Sequence, residues 1–330
     1  MTTFKEIRGT AIQSVSTDPT NPEVGQIWYN NTIGVLKGYQ LVAGAWASGG
    51  NMGTARRTLG GCGTQTAGLG FGGYTTTPSN ATEEYDGSTW TAGGNLPVGL
   101  EGPGSAGTQT AGLSFGGGTY GGPPPFYSNI TSEYDGSAWT AGGNLNANRQ
   151  NATGFGLQTA AIGSGGYGGG GYSSAVESYN GTAWTSVASL PAIRAAFGSA
   201  GTQTAGLLFG GQAPPAPTNP RVATLSWDGS SWTSLNNMNL SRTSGFGAGI
   251  QTAAITAGGQ NGTNRINTTE SWNGTSWTTL PATTVTLRAS VGSAGTQTAG
   301  LMFGGTVPPN SAATEEFTGA FLSTKKITTS

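Results

Sequence analysis

A Gln-Thr-Ala triplet begins at Gln65, Gln109, Gln158, Gln203, Gln251 and Gln297, with steps of 44, 49, 45, 48 and 46 residues between copies. Around three of them the wording is nearly identical: "GSAGTQTAGLSFGG" (104–117), "GSAGTQTAGLLFGG" (198–211) and "GSAGTQTAGLMFGG" (292–305). Repeats of this period are built either from pairs of helices or from small four-stranded sheets. Every copy closes on a diglycine, from Gly72-Gly73 to Gly304-Gly305. Each interior glycine would cost a helix about 1 kcal/mol, so the helical solution fails and each copy must be made of strands.

The fourth copy divides into four strand candidates, 194–201, 204–211, 222–229 and 230–235. Between the last two stands Asp228-Gly229, where Gly accepts the positive φ of a tight hairpin. Asp86-Gly87, Asp135-Gly136, Asn180-Gly181 and Asn273-Gly274 repeat that signal, so these Asp and Asn residues are turn formers and not catalytic groups. An aromatic precedes each turn (Tyr85, Tyr134, Tyr179, Trp227, Trp272, Phe317) and a Trp follows it (Trp90, Trp139, Trp184, Trp232, Trp277). Aromatics placed so regularly are expected to pack between twisted sheets. Gly-rich first strands suit a crowded centre where neighbouring backbones approach closely, with Leu208 or Phe209 filling the space between sheets. The expectation is an all-β propeller of six blades, each of four antiparallel strands.

Third-and-fourth-strand units number seven if 38–50 and "EEFTGAFLST" (315–324) are both counted, which keeps seven blades as the alternative. Six blades require a displaced outer strand for the last one, and Ala45–Gly49 is the segment expected to supply it. Residues 35–330 are therefore read as the propeller, closed by strands from both termini, because an open edge invites aggregation. Residues 1–34 share none of the repeat grammar and are read as an anchoring segment with a short hairpin.

Histidine is absent, which removes the commonest general base and the commonest metal ligand together. The neighbouring carboxylates Glu83-Glu84 and Glu315-Glu316 point to opposite faces of a strand and make a poor acid–base couple. No Gly-rich stretch has the Lys and Ser/Thr of a phosphate loop. The expectation is no catalytic residue, no metal and no cofactor. Thirteen Lys and Arg, scattered singly in a chain of net charge −1, give no footprint for nucleic acid. No apolar run reaches membrane-spanning length and the N-terminus lacks a signal-type apolar region, so neither membrane insertion nor secretion is expected. Cys62, the single cysteine, reads as a small buried hydrophobe.

The repeat resembles the kelch type of β-propeller over about residues 38–320. The matching features are an Arg opening the innermost strand (Arg56, Arg149, Arg194, Arg242, Arg288, with Leu100 in the second copy), the diglycine, the third-strand aromatic and the fourth-strand Trp. The Gln-Thr-Ala triplet is not part of that pattern. Copper oxidases of that type need His ligands, and "YDGSTW" (85–90) is one residue shorter between Asp and Trp than the sialidase turn. A narrower resemblance lies in "GQIWYNNTIGVLKGYQLVAGAW" and the repeated "EEYDGSTWTAGGNL", which are similar to Gly-rich repeat proteins in virions of tailed phages, notably those of marine cyanobacteria. It implies a virion component (a tail fibre, appendage or surface decoration) within an oligomeric assembly. Its partners would be other virion proteins, reached through residues 1–34 and a propeller face, with a host surface glycan as the alternative partner.

Binding is expected on the variable second-to-third-strand loops, where Tyr120, Phe126, Tyr127, Tyr167 and Tyr172 are the candidates. The five arginines are expected to begin the inner strands near that face, either as an anion-binding ring or paired with Glu83, Glu177, Glu270 and Glu315. Pairing is the favoured expectation, Arg194 included.

Overall fold

The computed structural model describes residues 12–119, 126–214 and 221–327, and every regular element among them is a strand. Contacts divide the chain into two units, Ala45–Thr318 and Met1–Gly44 with Gly319–Ser330. The boundary thus falls ten residues beyond the expected 34/35, and the C-terminal segment joins the first unit.

Ala45–Thr318 holds six four-stranded antiparallel sheets. From first to fourth strand, sheet 1 is Gly60–Thr64, Ala67–Phe71, Thr82–Tyr85 and Trp90–Ala92, and sheet 2 is Gly104–Gly107, Gly112–Phe115, Thr131–Tyr134 and Trp139–Ala141. Sheet 3 is Thr153–Leu157, Ala160–Ser164, Val176–Tyr179 and Trp184–Val187; sheet 4 is Gly198–Thr202, Ala205–Phe209, Thr224–Trp227 and Trp232–Leu235. Sheet 5 is Phe246–Ile250, Ala253–Ala257, Thr268–Trp272 and Trp277–Thr283. Sheet 6 takes Gly292–Gly295, Ala299–Phe303 and Thr314–Thr318 from one end of the repeat and Ala45–Ser48 from the other, with Phe317 opposite Trp46.

First strands contact one another in sequence, and that of sheet 6 returns to that of sheet 1. Their glycines are what permits this approach. A Cβ on Gly154 would lie 2.3 Å from the Ser105 carbonyl of the neighbouring first strand, and one on Gly61 would lie 2.7 Å from the Ser293 nitrogen. Farther out, the apolar core sits between sheets. Leu207 and Phe209 of sheet 4 pack with Trp272 and Trp277 of sheet 5, while Leu208 packs with Phe155 and Ile162 of sheet 3. Alternation along one strand therefore serves both interfaces.

Among the described residues the other unit contains one sheet, ordered Gln13–Val15, Ile27–Asn30, Val35–Val42 and Phe321–Lys326. The expected hairpin is there, but 38–42 and 321–324 are not propeller strands: they pair with each other, Leu41 opposite Leu322. Only the Ala45–Ser48 portion of 38–50 serves sheet 6. Trp28 is fully buried here, and its Nε1 donates to Asp18, which also accepts from Asn30 and Lys37.

Candidate binding face

Arg56, Arg149, Arg242 and Arg288 each lie four residues or more before a first strand, so they do not open it as expected; they occupy the connection entering it. Each side chain turns to the third strand of its own sheet. Nη2 meets a Glu carboxylate at 2.7 Å (Arg56–Glu83, Arg149–Glu177), 2.8 Å (Arg242–Glu270) and 2.9 Å (Arg288–Glu315). Nη1 donates to the carbonyl of the first diglycine residue and to a second carbonyl entering the third strand, as Arg149 does to Gly165 and Ala175. The same carboxylates accept the backbone N–H three residues before the Arg: Gly53, Asn146, Asn239 and Val285. Burial pushes all four guanidinium pKa values below the usual range, and the facing Glu opposes that shift. These groups are turned inward, knitting the entry loop to the sheet.

Sheets 2 and 4 break the pattern. In sheet 2, Leu100 replaces Arg, Ser132 replaces Glu and Pro97 replaces the N–H donor. In sheet 4, Leu225 replaces Glu and Pro191 replaces the donor, but Arg194 is kept. The expectation that Arg194 pairs with a carboxylate is therefore corrected: no Glu occupies the place two residues before Trp227.

Just after each Arg position runs a feature the sequence reading missed. Thr58, Asn151, Ala196, Ser244 and Ser290 have φ of 51°, 51°, 54°, 54° and 59°, and Gly102 has 63°. Each amide donates to the carbonyl of its counterpart in the preceding sheet, and Thr58 closes the circle on Ser290 at 2.7 Å. A left-handed non-Gly residue costs roughly 1–2 kcal/mol, offset here by a continuous belt of six backbone hydrogen bonds. The belt borders a central cavity of about 230 Å³ lined mostly by Gly, Ala, Ser and Thr of the first strands. Cys62 lines it too, and burial pushes its thiol up to about 12.

The loop aromatics are partly gathered. Tyr127 and Tyr167 stand edge to face with centroids 5.7 Å apart, and Tyr167 and Tyr172 at 5.3 Å, spanning the loops of sheets 2 and 3. All three are half-buried and Phe126 is exposed. Tyr172 lines a cavity of about 410 Å³ with Asn148, Arg149 and Gly168 to Gly171. Tyr120 lies outside the described residues. At sheet 1, Arg57 of the entry connection lies 4.3 Å over the ring of Tyr74, which follows the second strand. Among the described residues no group of three or more Cys, Asp or Glu is arranged to hold a metal.

No protein-family model matches the chain, and no curated protein matches it. Among solved structures it is similar to one described as the structure of YjhT, with a TM-score of 0.69 and 14% identity over 83% of this chain and 99% of that one. The fold is a β-propeller.

Most of the propeller's remaining polar repeats are inter-sheet clamps. Every triplet Gln sends Nε2 to the preceding sheet, as Gln109 does to the Tyr85 carbonyl at 2.7 Å and Gln65 to the Phe317 carbonyl at 2.8 Å. The triplet opens at the hairpin turn between first and second strands, and its Gln holds the ring together. Five fourth-strand Trp residues donate to a third-strand Thr one sheet back, as Trp139 does to Thr82 and Trp46 to Thr269, while Trp232 donates to the Ala188 carbonyl. Tyr85, Tyr134 and Tyr179 donate to Glu316, Glu84 and Glu133. Burial first, then those carboxylates, pushes all three phenols up to about 12. Where Trp227 and Trp272 replace Tyr, the facing Glu becomes Ser178 and Ser226, which accept from the Gln instead.

Proposed function

We propose that the chain is a non-enzymatic structural protein of a tailed-phage virion, a fibre, appendage or surface-decoration component, using a kelch-like propeller as a protein–protein interaction scaffold. The observation that carries the scaffold reading is where the polar chemistry is used. Four buried Arg–Glu pairs, six Gln clamps and the Trp–Thr bonds all serve contacts inside the ring. What varies from sheet to sheet is the loop set, and rigid scaffolds with variable loops are built for recognition. The virion setting is supported by the wording of residues 25–46 and the repeated "EYDGS-WTAGGNL", and partners would be reached through the terminal unit and a propeller face. Mass spectrometry of purified particles tests the reading: the chain should be present in fixed copy number per particle, and its confinement to the soluble lysate would overturn it.

A second reading, a glycan-binding adsorption module, is favoured by the Tyr127–Tyr167–Tyr172 cluster, which gathers three half-buried aromatic rings on variable loops. Glycan-array binding lost in Tyr127→Ala and Tyr172→Ala would select it over the first.

A further inference from the structure

Arg194 is the one member of its series whose carboxylate has been removed while the cation has been kept. In sheet 2 the Arg, the Glu and the N–H donor are replaced together, by Leu100, Ser132 and Pro97, so that nothing charged is stranded. In sheet 4 only the Glu and the donor are gone, and among the described residues the buried charge has no partner of opposite sign, only the Phe197 ring 5.7 Å from its Cζ, which leaves it costly unless something compensates it. Among the described residues its hydrogen bonding is a single long contact, Nη1 to the Gly210 carbonyl at 3.4 Å. Its siblings make shorter bonds to two carbonyls as well as the ion pair, as Arg242 does to Gly258, Thr268 and Glu270 at 2.8–2.9 Å.

Two further observations point outward. Arg194 is 7% exposed, against 0–2% for Arg56, Arg149, Arg242 and Arg288, which makes it the least buried of the five. A second cation, Arg221, is close enough to disfavour the charged form of Arg194, where each sibling has a Glu that favours it. Arg221 is only half-buried, and its Nη2 donates to the Pro214 carbonyl at 2.9 Å. Both arginines are placed at the sheet 4 diglycine, where the Gly210 carbonyl accepts from Arg194 and the Gly211 carbonyl from the Arg221 amide at 2.8 Å, and guanidinium groups match the geometry of a planar oxyanion.

We propose that sheet 4 binds a carboxylate from outside the chain, with Arg194 as the primary ligand and Arg221 as the second cation. The group takes the role that Glu83, Glu177, Glu270 and Glu315 fill within their own sheets. The ligand class is a small carboxylate such as a uronic acid. The inference stands on sheet 4 alone and is independent of the virion reading.

The test is calorimetric titration and thermal melting of the whole chain with glucuronate, against glucose and against sulfate at equal ionic strength. Wild type should bind glucuronate saturably, with a rise in Tm that glucose does not produce. Arg194→Gln should weaken binding at least tenfold, and Arg221→Ala, at a half-exposed site, should weaken it while leaving the melt of the free protein unchanged. Leu225→Glu, which supplies the carboxylate internally and leaves Arg194 in place, should abolish binding and raise the Tm. The proposal is overturned by no saturable response in wild type, by sulfate binding as well as glucuronate, or by undiminished binding in Leu225→Glu. A Leu225→Glu chain that cannot fold would overturn it too, by showing that Arg194 does not accept a carboxylate there.

Discussion

Sheets 3 and 4 are neighbours with the same strand order, and both keep the entry-loop arginine; they differ in what it faces. In sheet 3, Arg149 spans two carbonyls and Glu177, and Glu177 also takes the Asn146 amide and side chain. In sheet 4, Arg194 lies 5.7 Å over the Phe197 ring, and the Glu position is taken by Leu225, buried in an apolar cluster with Phe197 and Trp227. The fold accommodates both. The entry loop therefore does not need the ion pair in order to form; the pair adds a polar fastening where its three parts are all present. Sheet 2 shows the uncharged version. A repeat protein can exchange such a set as a unit, and sheet 4 is where the exchange is incomplete.

The largest effect should come from removing one partner of a complete set. Glu177→Ala leaves Arg149 and two Asn146 donors unpaired inside sheet 3. Loss of a buried pair in this way costs about 3–5 kcal/mol. Urea unfolding should show that loss, and a loss under 1 kcal/mol would mean sheet 3 behaves as sheet 4 does. Next comes the clamp. Gln109→Ala strips hydrogen bonds from the Gly68 and Tyr85 carbonyls, for about 1–3 kcal/mol. The equivalent change in sheet 4, Gln203→Ala, should cost about as much, because the clamps do not depend on the Arg set.

A third effect depends on pH and separates sheets 1–3 from sheets 4–6. The phenols of Tyr85, Tyr134 and Tyr179 ionise near pH 12 in the folded chain, above the ordinary value of 10. A folded value above the unfolded one gives stability that is whole below pH 10 and is lost as pH rises through 12. Alkaline titration of the melt should show decline in that window. Tyr85→Phe, Tyr134→Phe and Tyr179→Phe combined should remove that part of the decline; an unchanged profile would mean these phenols are not linked to folding. Smallest of all, Asp135→Asn should leave the Tm unchanged, since Asn180 and Asn273 make the same turn with Oδ1 accepting the amides two and three residues on. A clear drop would show that the carboxylate charge matters in the turn.

The parts of the propeller legible in the sequence are those whose signal is local. Asp228-Gly229 fixes a turn by the φ that Gly allows, and Trp227 and Trp232 mark the two strands it joins. The displaced strand Ala45–Ser48 was readable by counting, since six first-and-second-strand pairs face seven candidate third-and-fourth-strand units when 38–50 is included. The Gln role was not readable, because its acceptors are main-chain carbonyls some 24 residues earlier, in another sheet. Nor was the left-handed belt, whose members are Thr, Gly, Asn, Ala and Ser: a backbone requirement leaves side-chain identity free. Gly102 alone hinted at it. The candidate loop aromatics were picked out by loop position, but which of them meet across loops depends on how adjacent sheets are set side by side. The missing partner of Arg194 did have a signal, Leu225 in the third strand and Pro191 in the entry loop. It is visible only when each copy is compared with the others residue by residue.

The central claim is that the repeated arginines fasten the ring wherever a Glu completes the set, and that sheet 4 lacks that fastening. The most direct measurement is the unfolding free energy of Arg149→Leu beside Arg194→Leu in urea, both copying the Leu100 of sheet 2. Arg149→Leu should lose about 3–5 kcal/mol, by stranding Glu177. Arg194→Leu strands no carboxylate, so its loss should lie within about 1 kcal/mol of zero, or the variant should gain stability. Equal losses at the two positions would contradict the claim.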